Sequence, residues 1–165
     1  MAPTWIRTEL FDQISHGTGD PNYESDRDGS PEAGARFQKS GDPSEDVLLV
    51  EDDTDVADMY AMGLRLSGHQ ARVATNGRSA LVDAAEKHPR AIVLDLRLPD
   101  IGGLEVIDSL RHAPSTVDVP IIVLSNEDSE FPEAVRRGAN ECHVKYRTTP
   151  NELVHYVEGA IGGAA

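Results

Sequence analysis

Ala91-Ile92-Val93-Leu94-Asp95-Leu96-Arg97-Leu98-Pro99-Asp100-Ile101-Gly102-Gly103 joins an apolar run to an aspartate and then to a loop closed by two glycines. Four apolar residues bounded by charge and Gly/Pro suit a strand buried on both faces, as in a parallel sheet. Asp95 then stands at the carboxyl end of that strand, where open α/β sheets bind their ligands. Alone this is weak, because an aspartate ending a strand is more often a cap or loop residue. The flanking sequence repeats the arrangement.

Upstream, Val47–Val50 is an apolar run that ends in Glu51-Asp52-Asp53. Val56, Met59, Tyr60, Gly63, Leu64 and Ser67 then recur at three and four, which predicts an amphipathic helix ended by Gly68. Ala71, Val73 and Ala74 form a short second strand, and Asn76 caps a helix whose inward residues are expected to be Leu81, Ala84, Ala85 and His88. Downstream of Asp95, Leu104, Ile107 and Leu110 mark a third helix. Pro120–Leu124 is a fourth strand, ended by Ser125-Asn126. A short helix starts at Pro132 and is closed by Gly138, and Cys142-His143-Val144-Lys145 is a fifth strand. Thr149-Pro150-Asn151-Glu152 is a capping box opening a last helix with Leu153, Val154, Val157, Ala160 and Ile161 inward. Strand and helix alternate five times, which implies an α/β fold: a five-stranded parallel sheet, doubly wound as (βα)5 with right-handed crossovers.

In such a sheet the strand ends gather at one edge. They bring together Glu51, Asp52, Asp95, Ser125 and Lys145. Each residue alone has an ordinary explanation as a cap, a turn or a solvated lysine. Together, three carboxylates, one hydroxyl and one ammonium make a chemical set. The carboxylates repel one another, and a hard divalent cation such as Mg²⁺ relieves that repulsion. Asp95 is then a carboxylate nucleophile for a phosphoryl group, with Lys145 and Ser125 placed to meet phosphoryl oxygens.

These residues resemble the receiver domains of two-component response regulators, the CheY-like superfamily, over about 46–161. The resemblance rests on Val47-Leu48-Leu49-Val50-Glu51-Asp52-Asp53, on Val93 through Leu104 around Asp95, on Pro120-Ile121-Ile122-Val123-Leu124-Ser125, and on Gly138-Ala139-Asn140 with Val144-Lys145. It implies flavodoxin-like strand order 2-1-3-4-5 and Asp95 as acceptor of a phosphoryl group from a histidine kinase. It also implies Mg²⁺ held by Glu51, Asp52, Asp95 and the Arg97 backbone carbonyl. Ser125 and Lys145 would read the phosphoryl group, and Arg97 and Glu127 would flank the path of attacking water and set its lifetime. Tyr146 stands where the family usually has proline after the lysine, so a trans bond is expected there. Cys142 stands where a switch aromatic is usual, and the Ser125-to-Gly138 segment is about two residues short.

The remaining features bound the reading. The chain has 165 residues, 39% hydrophobic, and a formal charge of −14, which argues against nucleic acid or an anionic membrane as a direct partner. Cys142 is the one cysteine, so no internal disulfide forms. No apolar run suits a signal peptide or membrane span, so a cytoplasmic protein is expected. Residues 1–45 read as a disordered polar extension with a short helix near 4–14, and 162–165 as a C-terminal tail. No output domain is expected after the last helix. The expected function is a stand-alone receiver, not a conventional enzyme. Its expected partners are a histidine kinase or phosphotransfer protein and a downstream protein. The alternative is a receiver-fold scaffold that binds partners without phosphate. A phosphohydrolase is disfavoured, because no acid, base or substrate cap for it is evident.

Overall fold

The computed structural model describes residues 46–163. The expected extension over 1–45, with its helix near 4–14, and residues 164–165 lie outside the described residues. Strands and helices alternate as β1 (Asp46–Val50), α1 (Thr54–Leu66), β2 (Gln70–Ala74), α2 (Gly77–Lys87), β3 (Ala91–Leu94), α3 (Gly103–His112), β4 (Ile121–Ser125), α4 (Phe131–Arg137), β5 (Glu141–Val144) and α5 (Pro150–Gly162). Single 3-10 turns, Asp128–Glu130 and Lys145–Arg147, precede α4 and α5. The five strands form one sheet in the order β2-β1-β3-β4-β5, and every neighbouring pair is parallel. Fold class and strand order are as expected.

The sheet is covered on both faces, and alternation along each central strand decides which side chain meets which helix layer. Leu48, Val50, Ile92, Leu94, Ile121 and Val123 pack with Ala84, Val106, Ile107, Leu110 and Ala134 of α2, α3 and α4. Val47, Leu49, Ala91, Val93, Ile122 and Leu124 pack with Ala57, Tyr60, Ala61, Leu64, Leu153, Val154 and Val157 of α1 and α5. A central strand therefore has no polar face, which is why these strands read as unbroken apolar runs.

The helix ends follow local chemistry. Asp53 Oδ1 accepts from Asp55 N at 3.0 Å and Val56 N at 3.2 Å, so the third acid after β1 is a cap. Asn76 caps α2 through Ser79 N, and Thr149 with Glu152 makes the expected capping box. Gly138 closes α4 at φ 111°, a left-handed conformation that glycine adopts without a Cβ penalty.

Two helix faces differ from expectation. In α1 the buried stripe is Ala57, Tyr60, Ala61 and Leu64, whereas Met59 and Ser67 point outward. In α2 it is Gly77, Ala80 and Ala84, while Ala85 and His88 are exposed and His88 is the left-handed C-cap at φ 46°. In α2 the contacting stripe is built wholly from small residues, and in α1 Ala57 and Ala61 share it with Tyr60 and Leu64. The small residues let the helix approach the sheet but carry little hydropathy, so larger neighbours mislead the reading of the face.

Candidate functional site

Register brings the strand ends level. Val50 pairs with Leu94 and with Ala74, so Glu51 and Asp95 each follow the last ladder residue of adjacent strands. Ser125 closes β4 opposite Val144, and Lys145 follows directly. The crossovers place all four at the carboxyl edge of the sheet.

The Lys145 ammonium bridges two carboxylates. Its Nζ is 2.7 Å from Glu51 Oε2 and pairs also with Asp95 Oδ2. Glu51, Asp95 and Ser125 are buried, whereas Asp52 is exposed at the mouth. One carboxylate oxygen each from Glu51, Asp52 and Asp95 lie within 4.8 Å of one another. Burial pushes the Glu51 carboxyl up; the Lys145 hydrogen bond opposes this, and the Asp95 charge adds to it. Burial alone would lower the Lys145 ammonium, but its hydrogen bonds to Asp95 and Glu51 outweigh burial and hold it above the ordinary lysine value. Three acids, two of them sharing one lysine, leave an excess of negative charge, and hard oxygen donors in this arrangement fit Mg²⁺.

The loop after β3 is held from two sides. Arg97 N donates to Asp95 Oδ1 at 3.2 Å. Asp100 accepts from Gly77 N at 2.8 Å and Arg78 N at 2.9 Å, so the loop is clamped to the start of α2. Of the two closing glycines only Gly103 is sterically required: a Cβ there would lie 2.6 Å from Asp95 O, whereas at Gly102 it would meet nothing within 4 Å.

Arg97 and Glu127 face each other across the mouth. Arg97 Nη2 is 2.6 Å from Glu127 Oε2, Ser129 Oγ donates to Glu127 Oε1 at 2.6 Å, and Glu127 N donates to Ser125 Oγ at 3.4 Å. The Ser129 hydroxyl and the Arg97 charge hold the Glu127 carboxyl below its usual value. Beside them, Tyr146 N donates to Asn126 Oδ1 at 3.0 Å, a bond proline could not make. No peptide bond among the described residues is cis, so the bond before Tyr146 is trans, as expected.

The structure thus brings together Glu51, Asp52, Asp95, Ser125 and Lys145, and it sets Arg97 and Glu127 as a pair above them. Three contributors were not read from the sequence: Asp100, Asn126 and Tyr60, whose hydroxyl donates to Lys145 O at 3.1 Å. Tyr60 carried a signal of its own, since a tyrosine in an otherwise apolar helical stripe must find a partner for its hydroxyl. Cys142 is half-buried with Sγ 3.9 Å from Phe131 O, and burial pushes its thiol up to about 11.

A family model described as response regulator receiver domain matches residues 47–158. The transcriptional regulatory protein PrrA of Mycobacterium bovis is 43% identical over 108 residues, covering 64% of this chain and 46% of that protein. The chain therefore spans about half the length of the curated relatives it matches. Among solved structures, the chemotaxis response regulator CheY4 of Vibrio cholerae superposes with a TM-score of 0.64 at 26% identity, covering 69% of this chain and 96% of that one. NtrX from Brucella abortus gives a TM-score of 0.66 at 28% identity over 72% of this chain and 27% of that one.

Proposed function

We propose, of a chain that belongs to the response regulator receiver domain family, that Asp95 accepts a phosphoryl group and thereby switches binding to a protein partner. The observation that carries this is Lys145, which pairs with both Glu51 and Asp95 in a buried pocket beside the Ser125 hydroxyl. A structural ion pair needs one acid; this one gathers two, with a third within reach.

In the proposed step an Asp95 carboxylate oxygen attacks phosphorus and forms the O–P bond. The bond from phosphorus to the donor breaks, and its electron pair stays on the donor, the imidazole nitrogen of a phosphohistidine. The donors expected are a histidine kinase or phosphotransfer protein, with which receiver domains interact. Glu51, Asp52, Asp95 and the Arg97 backbone carbonyl are the residues that would hold Mg²⁺, whose chemistry there is to offset carboxylate and phosphoryl charge. Lys145 then turns from the carboxylates toward a phosphoryl oxygen, and the Ser125 hydroxyl donates to another. Arg97 and Glu127, at the mouth, govern the approach of water and so the lifetime of the acyl phosphate. The chain takes up and releases its own phosphoryl group and is no conventional enzyme.

Among the described residues no helix is long and apolar enough to cross a membrane, and cytoplasmic placement belongs to the same proposal. The expectation of no nucleic-acid partner gains nothing from the relatives, which are named transcriptional regulatory proteins. The output proposed for the receiver itself is a protein contact. A second reading, a scaffold that binds without phosphate, is favoured by Cys142, which is too small to swing between pockets as an aromatic ring does. One experiment separates them. The chain is incubated with Mg²⁺ and acetyl phosphate and weighed by mass spectrometry beside Asp95→Asn. One added phosphoryl group, absent after chelation and in Asp95→Asn, is expected; no addition to a folded, Mg²⁺-binding chain leaves the scaffold.

A further inference from the structure

The side chain of Lys145 reaches the acidic pocket from a single 3-10 turn, Lys145–Arg147, whose next two residues are exposed. On one side of that turn Tyr146 N is tied to Asn126 Oδ1 at 3.0 Å. The Lys145 carbonyl itself is held from α1. Tyr60 is 1% exposed, and its hydroxyl lies 3.1 Å from Lys145 O and 2.8 Å from Thr148 O. A phenol has one hydrogen, so the two carbonyls share it. The same Lys145 carbonyl accepts from Thr148 N at 3.1 Å, and Thr148 Oγ1 donates to Val144 O at 2.9 Å, which closes the turn from the far side.

The rest of the α1 stripe is apolar: Ala57, Ala61 and Leu64. A leucine at 60 would fill the space and avoid burying an oxygen that must be satisfied. The hydroxyl therefore stands out as the one polar group in that stripe, and it is spent on the main chain beneath Lys145. A lysine stem has four rotatable bonds, so the ammonium is only as well placed as the Cα it hangs from. Displacements of about 1 Å at a reacting centre can cost on the order of 100-fold.

We propose that Tyr60 is a positioning residue for phosphoryl capture, its hydroxyl pinning the turn from which Lys145 reaches Asp95. This inference rests on the phosphoacceptor reading of Asp95. Tyr60 touches neither Asp95 nor a donor; it acts through Lys145. It leaves the acids alone, so it should bear on the phosphoryl group and not on the cation.

The test uses beryllofluoride as a phosphoryl mimic, titrated by ¹⁹F NMR in the presence of Mg²⁺, with Mg²⁺ affinity measured separately. Three full-length chains are compared: the natural one, Tyr60→Phe, and Val47→Ala, which thins the same buried layer at the amino end of β1, away from the carboxyl edge that carries the site, and controls for lost stability. The expected result for Tyr60→Phe is a five- to tenfold weaker beryllofluoride affinity with Mg²⁺ affinity within twofold, while Val47→Ala loses stability and binds both as the natural chain does. Beryllofluoride affinity within twofold of the natural chain in Tyr60→Phe, or an equal loss in Val47→Ala, overturns the positioning role and leaves the phosphoacceptor reading standing. Failure of the natural chain itself to take up beryllofluoride overturns that reading and this inference with it.

Discussion

Lys145 Nζ stands 2.7 Å from Glu51 Oε2 while it also pairs with Asp95, so one ammonium serves two buried acids. Burial raises the Glu51 pKa despite the lysine. A carboxyl whose folded pKa lies above its unfolded one stabilises the fold below the unfolded value and loses that contribution as pH rises through the folded one. At neutral pH Glu51 is therefore a cost to the fold. Glu51→Gln is expected to raise Tm at pH 7 by a few degrees. The gain should fade as pH falls toward 4, where Glu51 is protonated in the folded state as well. Thermal melts across that range check this, and a lower Tm at pH 7 would contradict it.

Cation binding should stabilise the chain by mass action. At Mg²⁺ near 100 times its dissociation constant the gain is about 2.7 kcal/mol. Asp52 is exposed, so Asp52→Asn leaves packing untouched and should abolish most of the Mg²⁺-dependent Tm rise. An undiminished rise in Asp52→Asn would place the cation elsewhere.

Arg97 and Glu127 hold each other at 2.6 Å at the surface, where an ion pair adds little to stability. Glu127→Ala should leave Tm unchanged and alter the decay of phosphorylated Asp95 several-fold, with Arg97→Ala doing likewise. Timed mass spectra after removal of the donor measure the decay. Identical half-lives in all three chains would remove these residues from the water path.

Arg111 ties the end opposite the site. Its guanidinium donates to Gly138 O at 2.9 Å, Val117 O at 3.0 Å, Val119 O at 2.8 Å and Asn140 Oδ1 at 3.0 Å. Removing it strands several carbonyls at once, so Arg111→Ala should cost about 2–3 kcal/mol in urea unfolding. Arg111→Lys should recover less than half, because an ammonium cannot span that fan of acceptors.

Cys142 should be nearly inert. With its thiol pushed to about 11, two units above the unperturbed value, it carries roughly 100-fold less thiolate at pH 7 than an ordinary cysteine. Iodoacetamide labelling of the folded chain should be slower by at least that factor than in urea, and equal rates would show the thiol to be open.

The fold and the acid–lysine set could be read from the sequence because both depend on where apolar runs stop. Val50 and Leu94 end their strands in acids, Val144 ends in a lysine, and parallel pairing does the rest. Helix faces were less readable, since Ala57, Ala61 and Ala80 make contacts and carry weak hydropathy. Tyr60 escaped for a different reason. Its partners are 85 and 88 residues away, and nothing local to α1 names them. Asp100 likewise looked like a turn residue until α2 was brought against it.

The site draws Glu51 from the first strand and Lys145 from beyond the last, with Asp95 50 residues before that lysine. Synthesis runs from one end to the other, so a ribosome-bound chain that has not yet released β5 holds Asp95 with no ammonium beside it, and the two acids gain the lysine that bridges them only when residue 145 emerges.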